Sequence, residues 1–231
     1  MHKITDHLYT FTNLLVGRVY CITDSDGLTI IDAGLGLAAK RIVSQLKRAG
    51  YAATDVKRIL ITHGHLDHIG GLPALKEATG AQVIASAYER PFVEGKTGVP
   101  LPKRDTLPPL ARLMHPGKET PEPGTQVDRT VTDGDLLPEV FGGLRAIATP
   151  GHSPGHMSFW QPERRILITG DVVMRTPWLR LPFAAFTSDM AQSKRSLKHI
   201  AELGAEIVCF GHGVPLRRDA TARLKAFAER V

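Results

Sequence analysis

The sequence predicts an α/β fold. Three observations carry that prediction: short apolar runs alternate with longer stretches of helical period, 42% of the 231 residues are apolar, and Gly (22) plus Pro (16) stay near one sixth of the chain. That composition fills a sizeable core and falls well short of low complexity. A single domain over residues 1–231 is the expectation.

The elements follow in order. Val19 to Thr23 and Leu28 to Ile31 read as neighbouring strands, parted by Asp24, Ser25, Asp26 and Gly27, which supply turn geometry. Leu37 to Ala49 places Ile42, Val43 and Leu46 at helical spacing and stops before Gly50. Arg58 to Thr62 is a strand, Leu72 to Ala78 a helix ending before Gly80, and Val83 to Ser86 another strand. Eight of the sixteen prolines lie between Pro91 and Pro123, so an insert at about 91–126 holds little regular helix or central strand. A structureless segment of that length inside a domain reads equally as a lid or as a solvated connector. Beyond it come strands at Leu144 to Thr149, Met157 to Gln161, Ile166 to Thr169 and Ile207 to Phe210, with helices over Met190 to Leu203 and Asp219 to Arg230. The segments Arg58-Ile59-Leu60-Ile61-Thr62 and Arg165-Ile166-Leu167-Ile168-Thr169 are identical, a hint of two related halves.

Charge and cysteine content narrow the functional classes. Lys plus Arg exceed Asp plus Glu by 29 to 23, a net charge of +6, but no block of five like charges and no arginine-rich arm occurs. A nucleic-acid partner is therefore not expected. No apolar run approaches membrane-spanning length, and Met1 to Asp6 lack the charged-then-apolar profile of a signal peptide. Cys21 and Cys209 are the only cysteines, too few for a disulfide framework, and read as small buried strand residues. Together these give a cytoplasmic expectation with no membrane association.

The chemistry concentrates in His63-Gly64-His65-Leu66-Asp67-His68, directly after a predicted strand. Residue frequencies give such a block roughly a one-in-a-thousand chance of arising anywhere in the chain. Imidazoles with a carboxylate suit zinc, iron, nickel or manganese, and the lack of thiolates argues for an open catalytic centre over a structural zinc site. One loop cannot surround an ion, so further ligands are needed. His152, Asp171 and His212 each follow an apolar run, and four strands would thus deliver polar groups to one rim of a sheet.

These motifs, in this order, resemble those of the metallo-β-lactamase superfamily. The resemblance runs from about Leu28 to Gly213 through Ile31-Asp32-Ala33-Gly34, the histidine block, Thr149-Pro150-Gly151-His152, Thr169-Gly170-Asp171 and Gly211-His212-Gly213. It implies a four-layer αββα sandwich and a centre of two divalent metal ions, zinc by default, with iron or manganese as alternatives. One ion would take His63, His65 and His152, the other Asp67, His68 and His212, with Asp171 between them. Asp32 would shape the loop beneath the site. His156 reads either as a residue that orients a ligand or as the start of the next strand. The implied activity is hydrolysis of an ester, thioester or lactone by a metal-bridging hydroxide, with Asp67 orienting that hydroxide and passing a proton.

Departures from subfamily patterns sharpen this reading. The exported β-lactamases need a signal, and some need a cysteine ligand that is missing here. Hydroxyacylglutathione hydrolases carry a substantial helical region after the last histidine, whereas 19 residues follow His212. Flavin-linked diiron reductases need a flavodoxin domain and a Glu in the ligand block. Acyl-homoserine lactonases typically carry Tyr three residues after the shared Asp, where this chain has Met174. Two alternatives stay open: a persulfide dioxygenase with one iron at His63, His152 and Asp171, and a phosphodiesterase or nuclease, which would need a basic track to the metals.

Substrate recognition is less legible. Trp178, Phe183 and Phe186 in the apolar run Pro177 to Phe186 could wall an acyl pocket for a small-molecule substrate, close the core, or form a homodimer contact. Lys96, Lys103, Arg104 and Arg112 on the insert would favour an anionic substrate if the insert covers the site.

Overall fold

The computed structural model describes all 231 residues. Seven strands form the first sheet, hydrogen-bonded in chain order: β1 (His2–Thr5), β2 (Leu8–Thr10), β3 (Tyr20–Asp24), β4 (Gly27–Ile31), β5 (Val56–Leu60), β6 (Gln82–Ser86) and β7 (Arg129–Val131). The first four are antiparallel and the last four parallel. The crossover from β4 to β5 is α1 (Ala38–Arg48); that from β5 to β6 carries the single turn α2 (Leu66–Ile69) and α3 (Leu72–Thr79). Between β6 and β7 runs the insert, with only α4 (Arg90–Val93), α5 (Pro109–Met114) and one 3-10 turn, as its prolines dictate.

The second sheet takes β8 (Leu136–Leu137), β9 (Leu144–Ala148), β10 (Met157–Gln161) and β11 (Ile166–Ile168); a separate ribbon of β12 (Met174–Arg175) and β13 (Leu179–Arg180) follows. After α6 (Met190–Ala201), β14 (Ile207–Cys209) returns parallel to β11, and α7 (Ala220–Arg230) packs on α6. No helix is long and apolar enough to cross a membrane.

Strand alternation builds three apolar layers between four structural ones. Ile30, Ile59 and Val83 face outward and pack under Ile42 and Leu46 of α1 and Leu72 and Leu75 of α3. Their neighbours Ile31, Leu60 and Ile84 face inward and meet Phe159, Ile166 and Ile168 of the second sheet. Trp160, Leu167 and Val208 face outward again, under Leu197 and Ile200 of α6 and Leu224 of α7. Both faces of the central strands are covered, which is why they read as unbroken apolar runs. Each fully buried Ile or Leu contributes about 1.5–3 kcal/mol of transfer free energy. The architecture is the αββα sandwich expected, and Cys21 and Cys209 are buried strand residues without a disulfide.

Two expectations change. The ligand-bearing strands do not share one sheet: β5 belongs to the first sheet, while β9, β11 and β14 belong to the second. The site is the common rim of the sandwich, closed by Met157 N–H donating to Thr62 O (2.9 Å) and Arg18 N–H to Gly211 O (2.7 Å). Strands β1, β2, β7 and β8 had no counterpart in the sequence reading, because they are two to four residues long and partly polar. The repeated pentapeptide occupies the interior of both sheets, with β5 between β4 and β6 and β11 between β10 and β14.

Candidate metal centre

Each ligand-type side chain is placed by a strand end and the turn after it. β5 leads into Thr62 and His63; the chain then turns at His65 into α2, which carries Asp67 and His68 within one helical turn. The loop after β9 brings His152, that after β11 brings Asp171, and that after β14 brings His212. A side chain at Gly211 would collide with Asp171 Oδ1, and one atom of His68 lies 3.0 Å from the same point, so the glycine clears the space that Asp171 enters.

All seven residues converge. His63, His65 and His152 have one nitrogen each within 4.8 Å of the others, and the same holds for the ligand atoms of Asp67, His68 and His212 and for those of His63, His68 and Asp171. Asp171 lies between the first two sets: Oδ2 is 3.1 Å from His212 Nε2 and 3.6 Å from His152 Nε2, and Oδ1 is 3.5 Å from His68 Nε2. His63 Nε2, His68 Nε2 and Asp171 Oδ1 are buried with no hydrogen-bond partner. Unpaired buried polar atoms carry a desolvation cost, and three of them aimed at one small space fit a cation.

The surrounding hydrogen bonds decide which nitrogen each ring presents. Thr62 Oγ1 donates to Asp32 and accepts from His63 Nδ1 (3.0 Å), while Asp32 Oδ2 accepts from His68 Nδ1 (2.8 Å). Thr187 Oγ1 donates to Phe183 O and accepts from His152 Nδ1 (3.2 Å). Each of these rings therefore turns its Nε2 to the centre. His65 differs: its Nδ1 lies 2.9 Å from His152 Nε2, so that nitrogen faces inward. Asp32, in a left-handed conformation at φ 64°, thus acts as an anchor beneath two ligand rings. His156 is buried; its Nε2 accepts the Asp171 backbone N–H (3.0 Å), and its Nδ1 lies 2.9 Å from Thr149 Oγ1. It props the backbone of the shared carboxylate.

Burial and neighbouring charge separate the two sets electrostatically. Burial, aided by adjacent imidazoles, holds His63 and His152 well below the usual histidine range and His65 at about 4. His68 and His212 go the other way. Burial opposes their charge, but Asp67, Asp171 and Asp32 outweigh it at His68, and Asp171 and Asp67 raise His212 to about 9. Asp67, despite burial, is held down to about 2 by His68 and His212.

A cavity of about 530 Å³ opens over these ligands. Val16, Leu66, Met174, Phe183 and Phe186 give it apolar walls, and the insert supplies Val99, Leu101, Lys118, Glu119 and Glu122. Burial and the charge of Asp67 raise the Glu122 carboxyl. Trp178 does not belong with the other two aromatics: it is 77% exposed beside Leu179, Arg223 and Arg230, because the β12–β13 ribbon carries it to an outer face. The four basic residues read from the insert do not line the cavity either. Lys96 pairs with Glu94, Arg112 donates to backbone carbonyls, and the charges that reach the cavity are Lys118 against Glu119 and Glu122. Thr62, Thr187 and Glu89 escaped the sequence reading, since a Thr or Glu in a polar turn carries no pattern of its own.

The model of the metallo-beta-lactamase superfamily matches residues 12–212. The chain belongs to that superfamily. The probable metallo-hydrolase YflN of Bacillus subtilis (strain 168) is 29% identical over 218 residues, covering 87% of this chain and 82% of its own length. A hydroxyacylglutathione hydrolase of Brucella anthropi is 31% identical over 206 residues, 86% of this chain and 65% of that protein. Such hydrolases are therefore among the relatives, although the residues after His212 had set them apart. A metallo-beta-lactamase family protein of Thermus thermophilus superposes with a TM-score of 0.71 at 25% identity, over 99% of this chain and 80% of that one. A subclass B3 metallo-beta-lactamase of Bradyrhizobium japonicum, at 24% identity and TM-score 0.72 over 99% and 90% of the two chains, shares the fold. This metallo-beta-lactamase-fold chain is a metal-dependent hydrolase.

Proposed function

We propose that this hydrolase uses two divalent metal ions, zinc by default, to cleave an ester, thioester or lactone of a small molecule. The observation that carries the reading is the pair of ligand sets with Asp171 between them. His63, His65 and His152 would hold one ion, Asp67, His68 and His212 the other, and Asp171 both. Bound there, the ions supply a nucleophile from water at neutral pH and polarise the oxygen under attack.

The residues of the chain do the rest. Asp67 is a carboxylate with a quarter of its side chain exposed to the cavity, its Oδ2 3.0 Å from His212 Nε2. It would take a proton from the attacking water and hand it to the leaving group, work worth about 10²–10⁴ in rate. The apolar wall of Met174, Phe183 and Phe186 suits the acyl side of the substrate, while Lys118, Glu119 and Glu122 offer polar contacts to the leaving side. The insert, which contributes to this wall, acts as a lid. Hydroxyacylglutathione hydrolase relatives favour the thioester within this class.

Metal analysis of protein purified without added metal, followed by a screen of esters, thioesters, lactones and phosphodiesters, tests the reading. Two equivalents of zinc or a similar ion with carbonyl hydrolysis support it. One equivalent of iron with oxygen consumption and no hydrolysis would replace it with the persulfide dioxygenase, and phosphodiester cleavage alone with the nuclease.

A further inference from the structure

A carboxylate that touches none of the seven ligand side chains lies between the two loops that carry the three-histidine set. Glu89, the residue before α4, is fully buried. Its Oε2 accepts the Gly64 N–H at 2.8 Å, from the loop between His63 and His65. Its Oε1 accepts the Ser153 hydroxyl at 2.6 Å and the Gly155 N–H at 2.7 Å, from the loop that carries His152. One side chain therefore spans both loops, and its partners are backbone and hydroxyl donors without a cation.

Such a group is expensive. A buried carboxylate without a counter-charge pays heavily for lost hydration, and only its three donors offset that cost. Burial raises the Glu89 carboxyl to about 7 against the pull of those donors. A neutral apolar residue in that space would avoid the charge but would leave the Gly64 N–H, the Ser153 hydroxyl and the Gly155 N–H without their acceptor, and it could not hold the two loops together. The packing around it is also close. A side chain at Gly64 would come within 2.6 Å of Phe92 Cβ and 3.3 Å of Glu89 Oε2, and one at Gly155 within 2.8 Å of Glu89 N. Both loops therefore rest directly on the segment Tyr88 to Phe92, the root of the proline-rich insert.

We propose that Glu89 is a positioning residue that sets the separation of the His63–His65 loop from the His152 loop, and so fixes how closely the three histidines close on an ion. This rests on the reading that the set holds a metal ion. Asp32 anchors rings directly; Glu89 acts one step further out, on the backbone that carries the rings.

Two substitutions separate reach from charge. Glu89→Gln keeps the length but carries one acceptor and one donor, so one loop loses its partner and meets an N–H instead. Glu89→Asp keeps the charge but is one methylene too short to serve both loops. With the full chain loaded with zinc, each variant loses affinity at the three-histidine set by about tenfold in chelator competition, the low end of the range for partners bonded directly to metal ligands. The visible spectrum of the cobalt(II)-loaded protein shifts with it. Lower thermal stability with unchanged zinc affinity and an unchanged cobalt spectrum would mean a merely structural role and overturns the proposal. If neither variant folds, Ser153→Ala removes one of the three donors and leaves the carboxylate. A several-fold loss of zinc affinity is then expected, and an unchanged affinity overturns the assignment. A wild-type chain that retains no ion in the same assay overturns the metal centre itself, and with it the role of Glu89.

Discussion

The two ligand sets under the cavity solve the same problem by different means. His63, His65 and His152 form an all-imidazole set in which burial keeps the rings neutral, so their lone pairs are ready at neutral pH. Asp67, His68 and His212 form a set in which carboxylates hold protons on imidazoles, and an incoming cation has to displace those protons. The first set depends on how its loops are held; the second depends on charge. Asp171, within 3.6 Å of one member of each, couples them.

The largest effect is expected where that coupling is removed. Asp171→Ala takes a carboxylate from both sets, and turnover should fall about a thousandfold with loss of bound metal. Turnover within tenfold of wild type would mean that the two sets act independently. Asp67→Ala touches the charge-based set alone and should lower turnover about a hundredfold while the fold, followed by circular dichroism, survives. Metal analysis of that variant should still find the ion of the all-imidazole set. Loss of both ions would erase the distinction between the sets.

pH separates them next. His212 and His68 have their pKa values raised above the usual 6.5, His212 to about 9. In chelator-stripped protein the ion pairs of His212 with Asp67 and Asp171 therefore contribute stability that is complete below pH 6.5 and is lost as the pH rises through about 9, and those of His68 act in the same direction. Metal binding runs the opposite way. Affinity at the charge-based set should climb by about tenfold per pH unit for each displaced proton, while the all-imidazole set, with His65 at about 4, should be level between about pH 6 and 9. Titration calorimetry in buffers of different ionisation enthalpy counts the protons released, and an equal count for both sets would break the comparison.

The sequence made these ligands legible because each is a chemically rare residue following an apolar run, and His63 to His68 needs no tertiary knowledge to be noticed. Fold class was legible for a related reason: strands such as Gly27–Ile31 and Val56–Leu60 end in short apolar runs buried on both faces, and their brevity, β-branched residues and flanking turns mark them as interior strands. What could not be read lies in contacts between distant segments. Glu89 meets Gly64 and Ser153 across 25 and 64 residues, and nothing near Glu89 in the chain announces either partner. Trp178 and Phe186 sit in one apolar run, yet the ribbon formed by Met174–Arg175 and Leu179–Arg180 sends the first to an outer face and leaves the second on the cavity wall. The spread of the ligand strands over two sheets was hidden in the same way, since a strand's apolar run is alike in either sheet.

The smallest expected effects come from the partners that orient the ligand rings, and they test the comparison most finely. Asp32→Asn is compatible with the left-handed backbone at that position and keeps an acceptor for Thr62, but it can turn an amide N–H towards His68 Nδ1. His68 then loses the acceptor that reserves its Nε2 lone pair, and affinity should fall by about tenfold at the charge-based set. Thr187→Val is close to isosteric and removes only the hydroxyl that accepts from His152 Nδ1 at 3.2 Å. Its cost should be a few-fold at most, confined to the all-imidazole set, because burial already keeps His152 neutral and the long hydrogen bond adds only orientation. Chelator competition on the two variants side by side gives the answer: each should weaken its own set and spare the other, and a shared loss would show that the rim behaves as one rigid unit whose halves cannot be tuned apart.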